Sequence, residues 1–147
     1  MDARAPSRTA RDAAAQRAAH QTLEGGRVFA DPFARAILGG DADPLIAAAA
    51  SDDSQASMRL FLAARSRFGE DALSGAVGRG ARQIVVLGAG LDTFALRNPH
   101  TDARVFEVDH PATQAWKRER LAAAGLVAPP SLVFAPVDFE RQSLADG

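Results

Sequence analysis

Glycines and a carboxylate, set a fixed distance apart, carry the chemistry this sequence offers. Gly88-Ala89-Gly90-Leu91-Asp92-Thr93 follows directly on the apolar run Gln83 to Leu87. Glycines in that place let the backbone turn tightly and approach a ligand with no Cβ in the way. Asp109 comes twenty-one residues after Gly88, closing a second apolar run that begins at Arg104. A carboxylate at the end of a second strand can accept hydrogen bonds from both ribose hydroxyls of an adenosine. GxG alone is a weak signal. Strand, GxG, helix, strand and terminal acid together point to an adenosine-containing cofactor. NAD and S-adenosylmethionine are the two main candidates. A dinucleotide fingerprint has a third Gly where this chain has Thr93, because the helix must come close to the strand and receive a pyrophosphate. Its absence favours a ligand without a pyrophosphate, and S-adenosylmethionine is such a ligand.

The elements that must position these residues follow from periodicity and punctuation. Gln83 to Leu87, Arg104 to Asp109 and Ser131 to Ala135 read as short strands, β-branched and apolar enough for a buried parallel sheet. Between them, Asp92 to Leu96 suits a helical turn or two, and Pro111 to Ala124 a helix closed by Gly125. The order β-α-β-α-β with short connections is half of a doubly wound α/β sheet, expected in strand order 3-2-1. Residues 1–80 are helical in pattern and form a separate N-terminal cap region, with the sheet in 81–147. Helices are expected over Ser7 to Glu24, from Asp31-Pro32 to Gly39-Gly40, over Leu45 to Ala50, and over Gln55 to Phe68 with a second piece at Asp71 to Val77. Asp31 suits an N-cap, Pro32 the first helical position, and Gly39 a left-handed C-terminus. Gln83 to Leu87 is apolar on both faces, which suits a central strand, yet no fourth strand follows the third. The sheet therefore reads as unfinished, and the chain as an N-terminal fragment without its C-terminal half.

Composition narrows the function classes. The 147 residues carry a net charge of −1, with 47% hydrophobic and 24% charged residues, which is globular composition. Charge is balanced in both halves, so there is no electrostatic footprint for nucleic acid. The absence of Cys removes disulfides, thiolate metal sites and a Cys nucleophile together. No apolar run reaches the 18 or so residues of a membrane helix, so the expectation is a soluble, cytoplasmic domain. Arg4, Arg8, Arg11 and Arg17 resemble a transit peptide in spacing, but Asp2 and Asp12 interrupt the charge and favour a helix of the mature fold. The acidic pairs Asp41 and Asp43, and Asp52 and Asp53, lack His or Cys company and read as turns and caps, so no metal is expected. Lys117-Arg118-Glu119-Arg120 reads as a solvated helix face. His110 beside Asp109 suits either the pocket or an exposed loop. Asp92 suits an orderer of its turn.

Four segments also resemble the leucine carboxyl methyltransferase family, particularly its bacterial S-adenosylmethionine-dependent branch. They are Thr9-Ala10 with Arg17-Ala18, Val28-Phe29-Ala30-Asp31-Pro32-Phe33-Ala34, Leu87-Gly88-Ala89-Gly90-Leu91-Asp92-Thr93, and Phe106-Glu107-Val108-Asp109-His110-Pro111. Ala64-Arg65-Ser66-Arg67-Phe68 and Val137-Asp138-Phe139 match related segments. The resemblance implies a class I methyltransferase fold with a helical cap. It implies that Arg65 binds the carboxylate of the methionine moiety, that Gly88 and Gly90 carry the loop beneath the cofactor, and that Asp109 holds the ribose. Asp138 would accept from the adenine amino group, and the Phe139 backbone would meet the ring edge. Asp-Leu is the commoner pair in the family, so Phe139 is a departure. The implied reaction moves a methyl from a sulfonium to an oxygen of a small molecule. A carboxylate acceptor is already ionised at neutral pH, whereas a hydroxyl needs a base; no catalytic residue stands out. An NAD-dependent oxidoreductase half-domain and a non-catalytic remnant acting as a binding module are the alternatives.

Overall fold

A computed structural model describes residues 7–51 and 53–146; Asp2, Arg4 and Asp52, named above, lie outside them. Alanine builds the helical layer. Helix α1 (Arg8–Leu23) buries Ala14, Ala15, Ala18 and Ala19 along one stripe. Alanine is the best helix former and leaves nothing beyond a methyl in the way, so α2 (Ala42–Ala50) and α3 (Asp53–Gly78) pack on α1. Ser7 caps α1 by accepting from the Ala10 N–H at 3.1 Å. The two pieces expected over residues 55–77 are one helix that runs through Gly69. A Gly inside a helix costs about 1 kcal/mol, too little to break an element that is packed on its neighbours.

Three parallel strands form the sheet: β1 (Gln83–Leu87), β2 (Arg104–Asp109) and β3 (Leu132–Pro136), with β2 in the middle. The register pairs Gln83 with Arg104 and Leu87 with Val108, then Val105 with Leu132 and Asp109 with Pro136. The one-turn helix α4 (Phe94–Arg97) follows β1, and α5 (Pro111–Ala123) follows β2. One apolar core joins α1, Ile37 and Leu38 to Leu91 and Leu121; a second gathers Val77, Ile84, Phe94 and Val105. The first core welds the helical layer to the loop after β1.

Three expectations are corrected. β1 is not buried on both faces: Val85 is 55% and Leu87 57% exposed, because successive side chains point to opposite faces and the core that takes Ile84 lies on the opposite face. No helix begins at Asp31-Pro32. Residues 32–35 form turns and a 3-10 helix spans Ala36–Asp41, with Gly39 at φ +63°. The Asp31 carboxylate still accepts from the Phe33 N–H at 3.1 Å, but buried partners described below hold it in the interior. Lys117 does not lie on a solvated face; it is 1% exposed.

Candidate functional site

Parallel pairing in this register brings the carboxyl ends of β1, β2 and β3 side by side, so the residues that follow them share one edge of the sheet. Gly88 extends the ladder by donating its N–H to the Val108 carbonyl at 2.8 Å. Its φ of +61° belongs to glycine, and a Cβ built there would meet nothing within 4 Å. Gly88 is therefore a glycine for backbone shape, and it opens onto free space. Gly90, at φ +50°, is a glycine for two reasons, since a Cβ there would lie 2.9 Å from the Ala10 Cβ of α1. The helical layer thus closes directly over the loop.

Asp109 faces this loop. Its two carboxylate oxygens accept from the Gly90 N–H at 2.5 Å and the His110 N–H at 2.6 Å. Each carboxylate oxygen has a second acceptor direction, so the group is oriented and retains capacity for ligand hydroxyls. His110 caps α5, its Nδ1 accepting from the Ala112 N–H at 3.1 Å. Asp92 orders its turn as expected, accepting from the Phe94 N–H at 2.7 Å. Asp138 lies after β3, with its Oδ2 4.0 Å from His110 Nε2 and its Oδ1 accepting from the Glu140 N–H at 3.0 Å. Gly88, Asp109 and Asp138 are thus brought to one edge. Phe139 follows with its ring exposed. Arg65 stands apart: it is an exposed residue of α3 on a cleft among α1, α2 and α3.

The rest of the loop is held by side chains from three other elements. Arg17 of α1 donates from Nη2 to the Leu91 carbonyl at 2.7 Å and from Nε to Asp31 at 3.1 Å. Thr93 donates its hydroxyl to Asp31 Oδ1 at 2.8 Å. The Asp31 side chain is fully buried and lies 3.8 Å from Arg97, which in turn grips Glu70 of α3 through two bonds of 2.7 and 2.6 Å. Lys117 of α5 donates to the Asp92 carbonyl and to Glu107 Oε2 of β2, each at 2.6 Å. Burial pushes the Glu107 carboxyl above its ordinary range, and the Lys117 charge opposes that shift. The remaining acids singled out in the sequence have plain roles: Asp41 pairs with Arg11 and Arg120, and Asp43 with Arg35.

Sequence reasoning missed this ring of anchors. Thr93 stood out only as a missing glycine, Asp31 only as a cap, and Lys117 only as a surface charge. The available signal was that Arg17, Asp31 and Thr93 lie in separate segments of the same family resemblance, and that Lys117 is the single Lys beside sixteen Arg.

Residues 10–147 match the family described as leucine carboxyl methyltransferase. The chain belongs to that family. Its curated relatives include YktD of Bacillus subtilis, named as a candidate S-adenosyl-L-methionine-dependent methyltransferase and 48% identical over 80 residues, 53% of this chain and 26% of YktD. A Mycobacterium marinum protein with the same kind of name is 35% identical over 148 residues, 90% of this chain and 47% of its own length. A Parafrankia protein, also so named, is 44% identical over 103 residues, covering 66% of this chain and 33% of itself. The chain spans about half or less of the length of these relatives. In this member of the leucine carboxyl methyltransferase family the matched span begins at Ala10, the residue packed on Gly90, so it takes in the helical layer as well as the sheet.

Proposed function

We propose that this chain is the cofactor-binding part of an S-adenosylmethionine-dependent methyltransferase acting on an oxygen, carboxylate or hydroxyl, of a small molecule. One observation carries the reading: the open Gly88, the oriented Asp109 and Asp138 stand at the adjoining carboxyl ends of three parallel strands, where ligands of open α/β sheets bind. These residues fit an adenosine. Gly88 leaves room where any other residue would put a Cβ, the free acceptor directions of Asp109 suit ribose hydroxyls, and Asp138 suits the adenine amino group, with the Phe139 backbone at the ring edge. Gly90 keeps the loop against α1. The family resemblance alone assigns the methionine carboxylate to Arg65, a task for a planar guanidinium fork; Arg65 itself stands apart from this edge, on the cleft among the three helices. When bound, the cofactor supplies an electrophilic methyl on a sulfonium. The protein's share is to hold it in place and exclude water, so rate enhancement rests mainly on proximity and orientation.

NAD is the weaker candidate. The helix after the loop is a single turn of four residues, which offers a pyrophosphate little of the N-terminal dipole that dinucleotide folds use. Calorimetric titration with S-adenosylhomocysteine and with NAD tests the choice. Saturable binding of the first and none of the second is expected, and comparable NAD affinity sinks the assignment. Asp109→Ala is expected to weaken S-adenosylhomocysteine by about 1.5–3 kcal/mol, the range for hydrogen bonds to a charged group.

A further inference from the structure

One buried carboxylate stands behind two of the contacts that shape the glycine loop. The Asp31 side chain is fully enclosed, so it touches nothing at the open edge of the sheet. Its Oδ2 accepts from Arg17 Nε at 3.1 Å, and the same guanidinium donates from Nη2 to the Leu91 carbonyl at 2.7 Å. Its Oδ1 accepts from the Thr93 hydroxyl at 2.8 Å. Leu91 directly follows Gly90, whose N–H donates to Asp109. The carboxylate is itself firmly mounted. The Asp31 N–H donates to Gln21 Oε1 at 3.0 Å, Gln21 Nε2 donates to the Phe29 carbonyl at 3.0 Å, and the Phe29 N–H donates to His20 Nε2 at 3.4 Å. Three residues of α1 thus clamp the segment that carries it. A carboxylate is costly to take out of water unless it is charge-paired and hydrogen-bonded. Holding the Phe33 N–H needs no such burial, since an exposed cap does as much. The two contacts toward the loop account for it.

We infer that Asp31 is a positioning residue for the cofactor: through Thr93 and Arg17 it fixes the loop from Gly90 to Thr93, and with it the direction in which Asp109 meets a ligand. The inference rests on the methyltransferase reading and adds to it a determinant of affinity that the ligand never touches. It also gives a task to the Thr93 that stands in place of a third glycine, because its hydroxyl ties the loop to the helical layer.

Thr93→Val keeps the shape of the side chain and removes the donor, whereas Thr93→Ser keeps the donor. Amide hydrogen exchange followed by NMR compares Gly90, bonded to Asp109, with Val105 of β2, whose N–H donates to the Ser131 carbonyl at 2.9 Å. Thr93→Val is expected to speed exchange at Gly90 about tenfold beyond any change at Val105, the effect of one hydrogen bond to a charged group on a local opening. Thr93→Ser should keep the parent ratio. A general loss of stability would raise both amides by the same factor. Asp31→Asn, which retains the shape and loses the charge, should weaken S-adenosylhomocysteine about tenfold in calorimetric titration; where that variant does not fold, Thr93→Val decides by exchange alone. An unchanged ratio of Gly90 to Val105 in Thr93→Val, an equal rise in Thr93→Ser, or parent affinity in a folded Asp31→Asn overturns the assignment. If the parent chain does not bind S-adenosylhomocysteine while the ratio responds, the cofactor reading fails and the hold of Asp31 on the loop stands. If the parent binds it and the ratio does not respond, the positioning role fails alone.

Discussion

At the scale of single residues, the burial of Lys117 against Glu107 has the largest energetic stake. Both side chains are almost wholly enclosed, so removing one charge strands the other without water. Lys117→Met is therefore expected to destabilise the fold by about 3–5 kcal/mol, the usual cost of breaking a buried pair from one side. Adding Glu107→Gln should restore part of that loss, because the stranded carboxylate is gone. Chemical denaturation of the single and double variants measures both. No recovery would show that the stabilisation comes from Lys117 holding the Asp92 carbonyl and not from charge neutralisation.

Among elements, the contact of α1 with the glycine loop sets the geometry of the edge where the cofactor is proposed to sit. Gly90→Ala adds a methyl 2.9 Å from the Ala10 Cβ and forces an L-residue to φ +50°. The backbone penalty alone is about 1–2 kcal/mol. Ala10→Gly in the Gly90→Ala background should relieve the steric share and leave the backbone share, a partial rescue visible as a partial recovery of the melting temperature. Full rescue would mean the backbone term is negligible. The same contact shows what the sequence could and could not disclose. The parallel strands were legible because Gln83 to Leu87 and Arg104 to Asp109 are short β-branched runs closed by glycine and acid. Gly88 and Asp109 were legible because their chemistry is local to those strand ends. The anchors Arg17, Asp31 and Lys117 were not, since each reaches the loop across a separation of 25 to 74 residues that periodicity does not encode; Thr93 meets Asp31 and Lys117 meets Asp92 only once the layers close. The burial of β1 was misjudged for the converse reason, because an apolar strand is covered only on a face against which other elements pack.

For the whole molecule, acid and association are the expected weaknesses. Glu24 bonds Arg59 through both oxygens and His20 through one, tying the end of α1 to α3. The Arg59 hydrogen bonds hold its carboxyl below the ordinary value of 4.5, although burial opposes them. A depressed carboxyl contributes stability that is complete above that value and is lost as the pH falls through the folded-state pKa. Glu24→Gln is thus expected to melt below the parent at pH 7, with the gap narrowing below pH 4.5; a gap independent of pH would assign the effect to packing. Among the described residues β1 pairs with β2 alone, so its other edge, next to the exposed Val85 and Leu87, is a template for another strand. Sedimentation velocity should show the 147-residue chain associating as its concentration rises, and Val85→Lys should reduce that association. An unchanged distribution in the variant would place the contact elsewhere.

The burial of the single lysine also makes the chain an internal reporter of its own opening. An amine-reactive acylating reagent meets only one ε-amine in this sequence, that of Lys117, and in the folded state that nitrogen lies between the Asp92 carbonyl and the Glu107 carboxylate. Acylation at residue 117 then proceeds only through molecules in which α5 has parted from the loop, so its rate follows the open fraction. Mass spectrometry of one tryptic region would time that event, and a ligand that tightens the loop should slow the label.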